Sequence, residues 1–551
     1  MAERLGQNRL RIDPYFSALI GYSALLFLLL FLTGAFLGTD TLGDAAVPFL
    51  FAILFYNLFV IGGIKAGELA VSRRLRQDKR SEAHTMLQYL RIFLLVLGIL
   101  CAAVVFLCSG TFAAAFQGSR DYTVVYVMLA ASILPFAVMG SVLSYFSGAG
   151  VRVPVRWMVM MHAALSVIFL PICSKIAYDY GKRIADLLRK DFCAALYGAF
   201  GIMTGLAIAS FFTALMLVIV FFLMRGPVRE TILGDVYFHE RTGINRQLLR
   251  HVLVSTWPVM LVFFLQGMQS IAALYMFQRS AGDEAFLNSV RMGYLFRAGY
   301  LWPGLFALIL TLPMTGIVKS ITKDLKRSNM QTVSGRYSVL FRLFSYLCFP
   351  AAFFSFAAAP VLAGGESDFA WVLRICMLNI LLCALTLQIG LIVLHMQRYG
   401  FMLFAECAAF ALQLFYCIFS LSGESPKVTS LAISGVLFYA AWAVILFLGN
   451  RDTFSAIHKE LYRTGMVLLC AAVAALPVYF LSPVLYGGIG AFFSFVICAL
   501  LYFTAFTLLT FFTGCADIDL LERLPGGGIY LWIWSLIFDR DAGYEEDEYD
   551  R

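Results

Sequence analysis

The sequence predicts an all-α integral membrane protein of about 14 transmembrane helices, organised as two six-helix lobes and a C-terminal helix pair. Three observations carry that expectation. Hydrophobic residues make up 61% of the 551 and charged residues only 13%, about half the charged share of an ordinary soluble domain. Apolar runs of about 20 residues, the length needed to cross roughly 30 Å of hydrocarbon, recur from end to end. The lysines and arginines lie in short connections between those runs and not along one face, so the net charge of +8 reports membrane orientation and gives no reason to invoke nucleic acid.

The runs fall at about 14–38, 46–64, 91–117, 122–147, 157–179 and 193–224, then at about 251–278, 292–318, 337–363, 369–394, 401–420 and 430–449, with a last pair at about 464–485 and 487–513. The polar start MAERLGQNRLRIDP is followed by an apolar run without a small-residue cleavage site, which predicts a retained span. Placing the N-terminus inside puts Arg73, Arg74, Arg76, Lys79 and Arg80, and later Arg225, Arg229, Arg241, Arg246 and Arg250, in cytoplasmic loops. The expected topology is therefore N-in, C-in. The stretch 178–191, YDYGKRIADLLRKD, reads either as a small external amphipathic helix or as extensions of its neighbouring spans.

The division expected from these runs is an N-terminal lobe at 1–224, a cytoplasmic linker at 225–249, a second lobe at 250–450, the extra pair at 451–514, and an interfacial helix with an acidic tail at 515–551. An internal echo supports duplicated halves. The second run ends GGIKAGELAVSRRLRQDKR and the eighth ends TGIVKSITKDLKR, about 250 residues later, and a weaker echo pairs 128–150 with 377–400. The segment 529–538 is too short to span but rich in tryptophan, as suits a helix lying in the headgroup region. Twelve cysteines occur without a CxxC pair and without ligand-spaced histidines, and read as packing residues; no metal site is expected.

Four stretches carry a family resemblance: GAFLGTDTLGDAAVPFLFAILFYNL, the basic endings of the second and eighth runs, the proline-containing GYLWPGLFALILTLPMTGIV, and the exit ADIDLLERLP. Together they resemble the multidrug/oligosaccharidyl-lipid/polysaccharide (MOP) exporter superfamily, most closely its fourteen-span branch of polysaccharide biosynthesis and stage V sporulation B-like proteins. The resemblance implies a V-shaped pair of lobes around a cavity lined by the first, second, seventh and eighth helices. Within that branch, lipid II flippases are similar around 38–57, where the family's acidic residue matches Asp44, and their eighth-helix arginine matches Arg297 relative to Pro303. The arginines those flippases place in the first and second helices have no match, since 34–38 and 58–60 are uncharged here.

The candidate residues divide into two groups. For substrate binding they are Arg297, Arg291, Gln266, Gln269 and Asn57. Arginine offers a planar fork to phosphate oxygens, and a charge within a span is costly enough to suggest function. Yet Arg297 lies about 22 residues from Lys319, roughly 33 Å of helix, so a snorkel to the outer interface is equally open; Arg291 reads as interfacial. Gln266, Gln269 and Ser270 share a helix face, and they or Asn57 either line a cavity or join helices. For gating or coupling the candidates are Lys65, Glu68, Asp44 and Glu406. Lys65 and Glu68 are spaced for a helical salt bridge or half of an inner gate. Asp44 reads first as a helix N-terminal charge; Glu406 is either a coupling carboxylate or a partnered structural one. His162 reads as packed and Lys175 as an interfacial snorkel.

No enzyme motif is present: PGGGIY lacks the lysine and preceding strand of a phosphate loop. The expectation is a flippase of a bacterial inner membrane that moves a lipid-linked oligosaccharide or polysaccharide precursor by alternating access. A cation-coupled multidrug exporter is the alternative, and a membrane-embedded glycan-processing enzyme ranks last. No cofactor is implied beyond a coupling ion, H⁺ or Na⁺. The expected partners are an undecaprenyl-type lipid-linked glycan, membrane lipids and glycan-synthesis machinery.

Overall fold

A computed structural model describes residues 14–77, 79–233, 246–281, 289–326, 330–365, 367–421, 427–450 and 460–516, with positions 520, 521, 524, 528, 530 and 531. Positions 234–245 of the expected linker and most of the interfacial segment and acidic tail lie outside the described residues. The helices are α1 (Pro14–Leu37), α2 (Thr39–Tyr56), α3 (Gly62–Arg76), α4 (Arg80–Leu107), α5 (Ser109–Gln117), α6 (Thr123–Gly148), α7 (Arg152–Leu188), α8 (Phe192–Leu233), α9 (Arg246–Ala281) and α10 (Ser289–Phe296). Then come α11 (Trp302–Thr311), α12 (Thr315–Lys326), α13 (Met330–Ala357), α14 (Ser367–Cys376), α15 (Leu378–His395), α16 (Tyr399–Leu421), α17 (Val428–Leu448), α18 (Leu461–Ile489) and α19 (Ala491–Phe512).

Thirteen helical stretches are long and apolar enough to cross a membrane, and α1 adds the shorter apolar segment Ile20–Gly34. Each expected run falls on one of these, in order. Only a helix satisfies its own backbone inside hydrocarbon, so long apolar composition and helicity go together. Interior prolines such as Pro135, Pro171 and Pro350 are carried within these helices.

Four stretches go beyond the simplest reading. Residues 178–188 continue α7 as an extension of the span, and the helix stops at Arg189, whose φ of 53° is left-handed. The third run breaks at Cys108 into α4 and α5, where Ser109 Oγ donates to the Phe106 carbonyl at 2.8 Å. The eighth span is not a uniform helix: a π-helical turn at Arg297–Leu301 and a 3₁₀ turn at Leu312–Met314 interrupt it. The second span carries a π turn of its own at Asn57–Ile61.

The chain separates into two compact units. One comprises 18–305 and 397–442, and the other 1–17, 306–396 and 443–551. These units are not the sequential lobes expected from the sequence, because α16 belongs with α9 in the first unit and the eighth span is shared at 305/306.

In the first unit the helices approach through glycines. A methyl group at Gly140 would strike the Phe59 carbonyl, and one at Gly67 the Ser144 backbone, so α6 lies directly against the second span. His162, fully buried, stacks on Tyr22 at 4.9 Å and meets Ser210 Oγ at 3.1 Å. It is a packed histidine.

The second unit has its own core, in which Leu343, Tyr346 and Phe354 of α13 meet Cys470, Ala471 and Val478 of α18, with Tyr502 and Phe506 of α19 and Leu520 and Leu521 beyond it. At one end of this core Arg342 grips Glu460 with its fork, Nε to Oε2 at 2.5 Å and Nη2 to Oε1 at 2.6 Å, while Ser338 donates to Oε1 at 2.6 Å. Burial works to raise the Glu460 carboxyl, but the hydrogen bonds from Arg342 and Ser338 and the charges of Arg342 and Arg463 outweigh it and hold it below its ordinary 4.5. A depressed carboxyl contributes stability that is present above its unfolded value and lost as pH falls through the folded one. Thermal stability should therefore drop below about pH 4.5 in the wild type, and Glu460→Gln should flatten that limb; an unchanged acid limb in the variant would remove Glu460 from this role.

Candidate functional site

The first unit holds every sequence-predicted site residue. Asp44 does not begin its helix. The helix starts at Thr39 with Asp40 in its first turn, so Asp40 takes the expected N-terminal position and Asp44 lies beyond it, 2% exposed. Ser289 Oγ, at the start of α10, donates to Asp44 Oδ1, and Gln117 Nε2 of α5 donates to the Asp44 carbonyl at 2.7 Å. This junction is possible because α2 and α10 cross with almost no side chain between them. A methyl at Gly43 would meet the Ser289 carbonyl, and one at Gly293 the Thr39 carbonyl.

Lys65 and Glu68 form the helical pair that their spacing predicts, at 3.0 Å, on a largely buried face of α3. Glu68 also accepts from Ser147 Oγ of α6 at 2.9 Å, so the pair is tied to a second helix.

Arg297 and Asn57 share an unforeseen feature: each is the first residue of a π turn. Such turns widen a helix locally and recur at functional positions. Both side chains are partly buried. The depths differ, however. Arg297 lies 22 residues before Lys319 at the basic end of its span, about 33 Å of helix, whereas Asn57 lies eight residues before Lys65, about 12 Å. The two spans thus echo in sequence at their basic ends but not in the placing of their π turns. Arg291 is exposed.

On α9, Gln266 is partly exposed whereas Gln269 and Ser270 are buried. Gln269 Nε2 donates to Ser270 Oγ at 2.6 Å, and Gln413 Nε2 of α16 donates to Gln269 Oε1 at 3.0 Å. In this conformation Gln269 therefore joins two helices.

Seven residues before Gln413 on the same helix is Glu406. It is 0% exposed, and neither carboxyl oxygen has a hydrogen-bond partner among the described residues. Among the described residues no group of three His, Cys, Asp or Glu side chains is placed to hold a metal. None of the twelve cysteines is in a disulfide.

Sequence reasoning missed Ser289, Ser147, Gln117 and Gln413. Each supplies a partner from a distant part of the chain, and nothing local distinguishes these serines and glutamines from others in spans.

These features define a multi-pass membrane protein whose described residues form helices and no strands, with polar side chains set at breaks in two spans and an uncompensated carboxyl at Glu406. No protein-family profile matches the chain, and no curated protein matches it in sequence. Solved structures do match its fold. An inward-facing multidrug resistance MATE family transporter of the MOP superfamily aligns with a TM-score of 0.58 at 13% identity, covering 82% of this chain and 97% of the other. A MATE transporter in complex with MaL6 aligns at 0.53 with 14% identity, covering 82% and 98%. A MOP superfamily transporter from Pyrococcus furiosus, described as having a binding pocket of reversed polarity, aligns at 0.51 with 14% identity and the same coverage. At these identities the likeness is one of fold: the chain has the two-lobe helical fold of MATE transporters, and 82% of it aligns with them.

Proposed function

We propose that this protein is a secondary exporter working by alternating access, with transport coupled to a cation taken up at Glu406. The fold likeness to MATE transporters supports the exporter class and moves the multidrug-type reading ahead of the flippase expected from sequence. Glu406 carries the coupling. An ionised carboxylate buried in an apolar span without a partner costs several kcal/mol, so this conformation calls for a proton or a cation there, and a conformation that exposes the group releases it. A carboxyl whose occupancy differs between two states ties an ion gradient to their exchange.

On this reading the sequential lobes, 1–224 and 250–450, move against one another, with the amino and carboxyl termini in the cytoplasm as the basic loops predict. The Asp44–Ser289 junction, which joins the two lobes, then serves as a gate whose hydrogen bond their separation breaks, while the Lys65–Glu68–Ser147 cluster, inside the first lobe, braces the cytoplasmic end of its second span.

A second reading, a flippase of undecaprenyl-linked glycans in a bacterial inner membrane, is favoured by one observation: Arg297 opens a π turn within the eighth span, where a phosphate-binding fork would be useful. Reconstituted vesicles separate the two. Offered a fluorescent organic cation under an imposed proton or sodium gradient, the exporter accumulates it; offered a fluorescent undecaprenyl-pyrophosphate glycan, it leaves the lipid in its leaflet. Lipid translocation that Arg297→Ala abolishes, without cation accumulation, would reverse the order of the readings.

A further inference from the structure

We infer that α4, α6 and α8 form a binding site for the phosphate headgroup of an anionic membrane lipid, at the membrane face where α4 begins and α6 and α8 end. The site uses none of the residues assigned to transport. Its centre is Arg91, on α4. The guanidinium carbon stands 4.1 Å from the ring centre of Phe221 on α8 and 5.7 Å from that of Tyr145 on α6, and those two rings pack edge to face at 5.5 Å. Tyr145 and Phe221 are buried and form a rigid wall. Stacking on this wall holds the guanidinium in place, yet its Nε is buried without a hydrogen-bond partner.

More positive charge follows on α8. Arg225 is one turn beyond Phe221 and Arg229 one turn further, so all three share a helix face. The charge of Arg225 acts on Arg91, and those of both Arg225 and Arg229 act on the Tyr145 hydroxyl. Among the described residues neither Arg91 nor Arg225 forms a salt bridge with a carboxylate. Like charges held together beside low-dielectric surface repel one another, and an anion placed between them relieves that repulsion and supplies the missing acceptor for Arg91 Nε.

The surroundings identify the source of the anion. On α8 the residues next to Phe221 are Phe222 and Leu223, 68% and 74% exposed, and on α4 the residue next to Arg91 is Ile92, 59% exposed. The cationic cradle is thus bordered by open apolar surface. A phosphodiester attached to acyl chains satisfies both, whereas free phosphate satisfies only the cradle. Anionic lipid is attracted to basic residues at this depth, and the arginine forks here add fixed geometry to that attraction.

Thermal stability of the purified full-length protein, titrated in neutral detergent with phosphatidylglycerol, phosphatidylcholine or inorganic phosphate, tests the site. Phosphatidylglycerol should stabilise the wild type, and phosphatidylcholine and inorganic phosphate should not. Arg225→Gln, an exposed position that folding tolerates, should need about fivefold more phosphatidylglycerol for the same shift. Arg91→Lys keeps the charge and loses the fork, and should also weaken the effect. Arg152→Gln, exposed near the end of α6 at the same face, should leave it unchanged. A loss as large in Arg152→Gln as in Arg225→Gln would mean diffuse surface charge and overturn the inference. So would equal stabilisation by phosphatidylcholine, or by inorganic phosphate.

Discussion

Glu406→Gln should reduce gradient-driven accumulation of cargo in reconstituted vesicles to background, while the protein folds normally and still binds cargo. Glutamine has nearly the shape of a protonated glutamate, so the fully buried position on α16 stays filled. What it loses is the capacity to take up and release a cation. With that gone, the equilibrium between conformations no longer depends on the gradient, since a ligand shifts an equilibrium only through its differing affinity for the two states. Counterflow, in which cargo exchanges without a gradient, should survive. Stability provides an independent check: Glu406→Gln should not lower the melting temperature, whereas Glu406→Leu, which removes the last polar atom, should raise it, because both carboxyl oxygens are unpartnered. Full gradient-driven transport by the glutamine variant would sink the coupling role.

Gly293→Leu should damage folding severely. A Cβ at Gly293 would overlap the Thr39 carbonyl, and one at Gly43 the Ser289 carbonyl, so a leucine there cannot be absorbed by a rotamer change and must push two backbones apart. Overpacking of this kind costs about 3 kcal/mol, a large part of the stability that a protein has to lose. Separation of α2 from α10 would also break the Asp44–Ser289 hydrogen bond. The expected outcome is a sharp drop in folded yield and melting temperature. Gly110→Leu makes a suitable control, since only the Thr123 hydroxyl stands near it, at 3.6 Å. Equal melting temperatures for the two variants would show that α2 and α10 cross loosely. Gly293→Ala is informative in a different way: a partial separation that leaves the protein folded but shifts transport would identify the crossing as a moving part.

The residues differ in how far sequence alone reached them. Glu406 was visible because a carboxylate in an otherwise apolar run stands out by composition, but whether it had a partner was left open. The Lys65–Glu68 pair was visible because i,i+3 spacing is local geometry; its tie to Ser147, 79 positions away, was not. Asp44 was found and placed wrongly, because its position near the start of an apolar run suggested a helix end, while the helix begins five residues earlier at Thr39. Arg297 and Asn57 were found as polar residues in spans, and no periodicity indicated that a π turn begins at each.

Sequence alone therefore determined the solvent this chain lives in, the number and order of its spans and which spans carry charge, since hydropathy and length are properties of contiguous segments. Tertiary structure decided everything that depends on two segments meeting: the partner of Asp44, 245 positions away, the glycine crossings that bring backbones together, the absence of any partner for Glu406 among the described residues, and the arginines around Tyr145. Lipid-facing helices are interchangeable in hydropathy. Which faces meet is settled by small residues and single hydrogen bonds, and these leave almost no trace in a one-dimensional pattern.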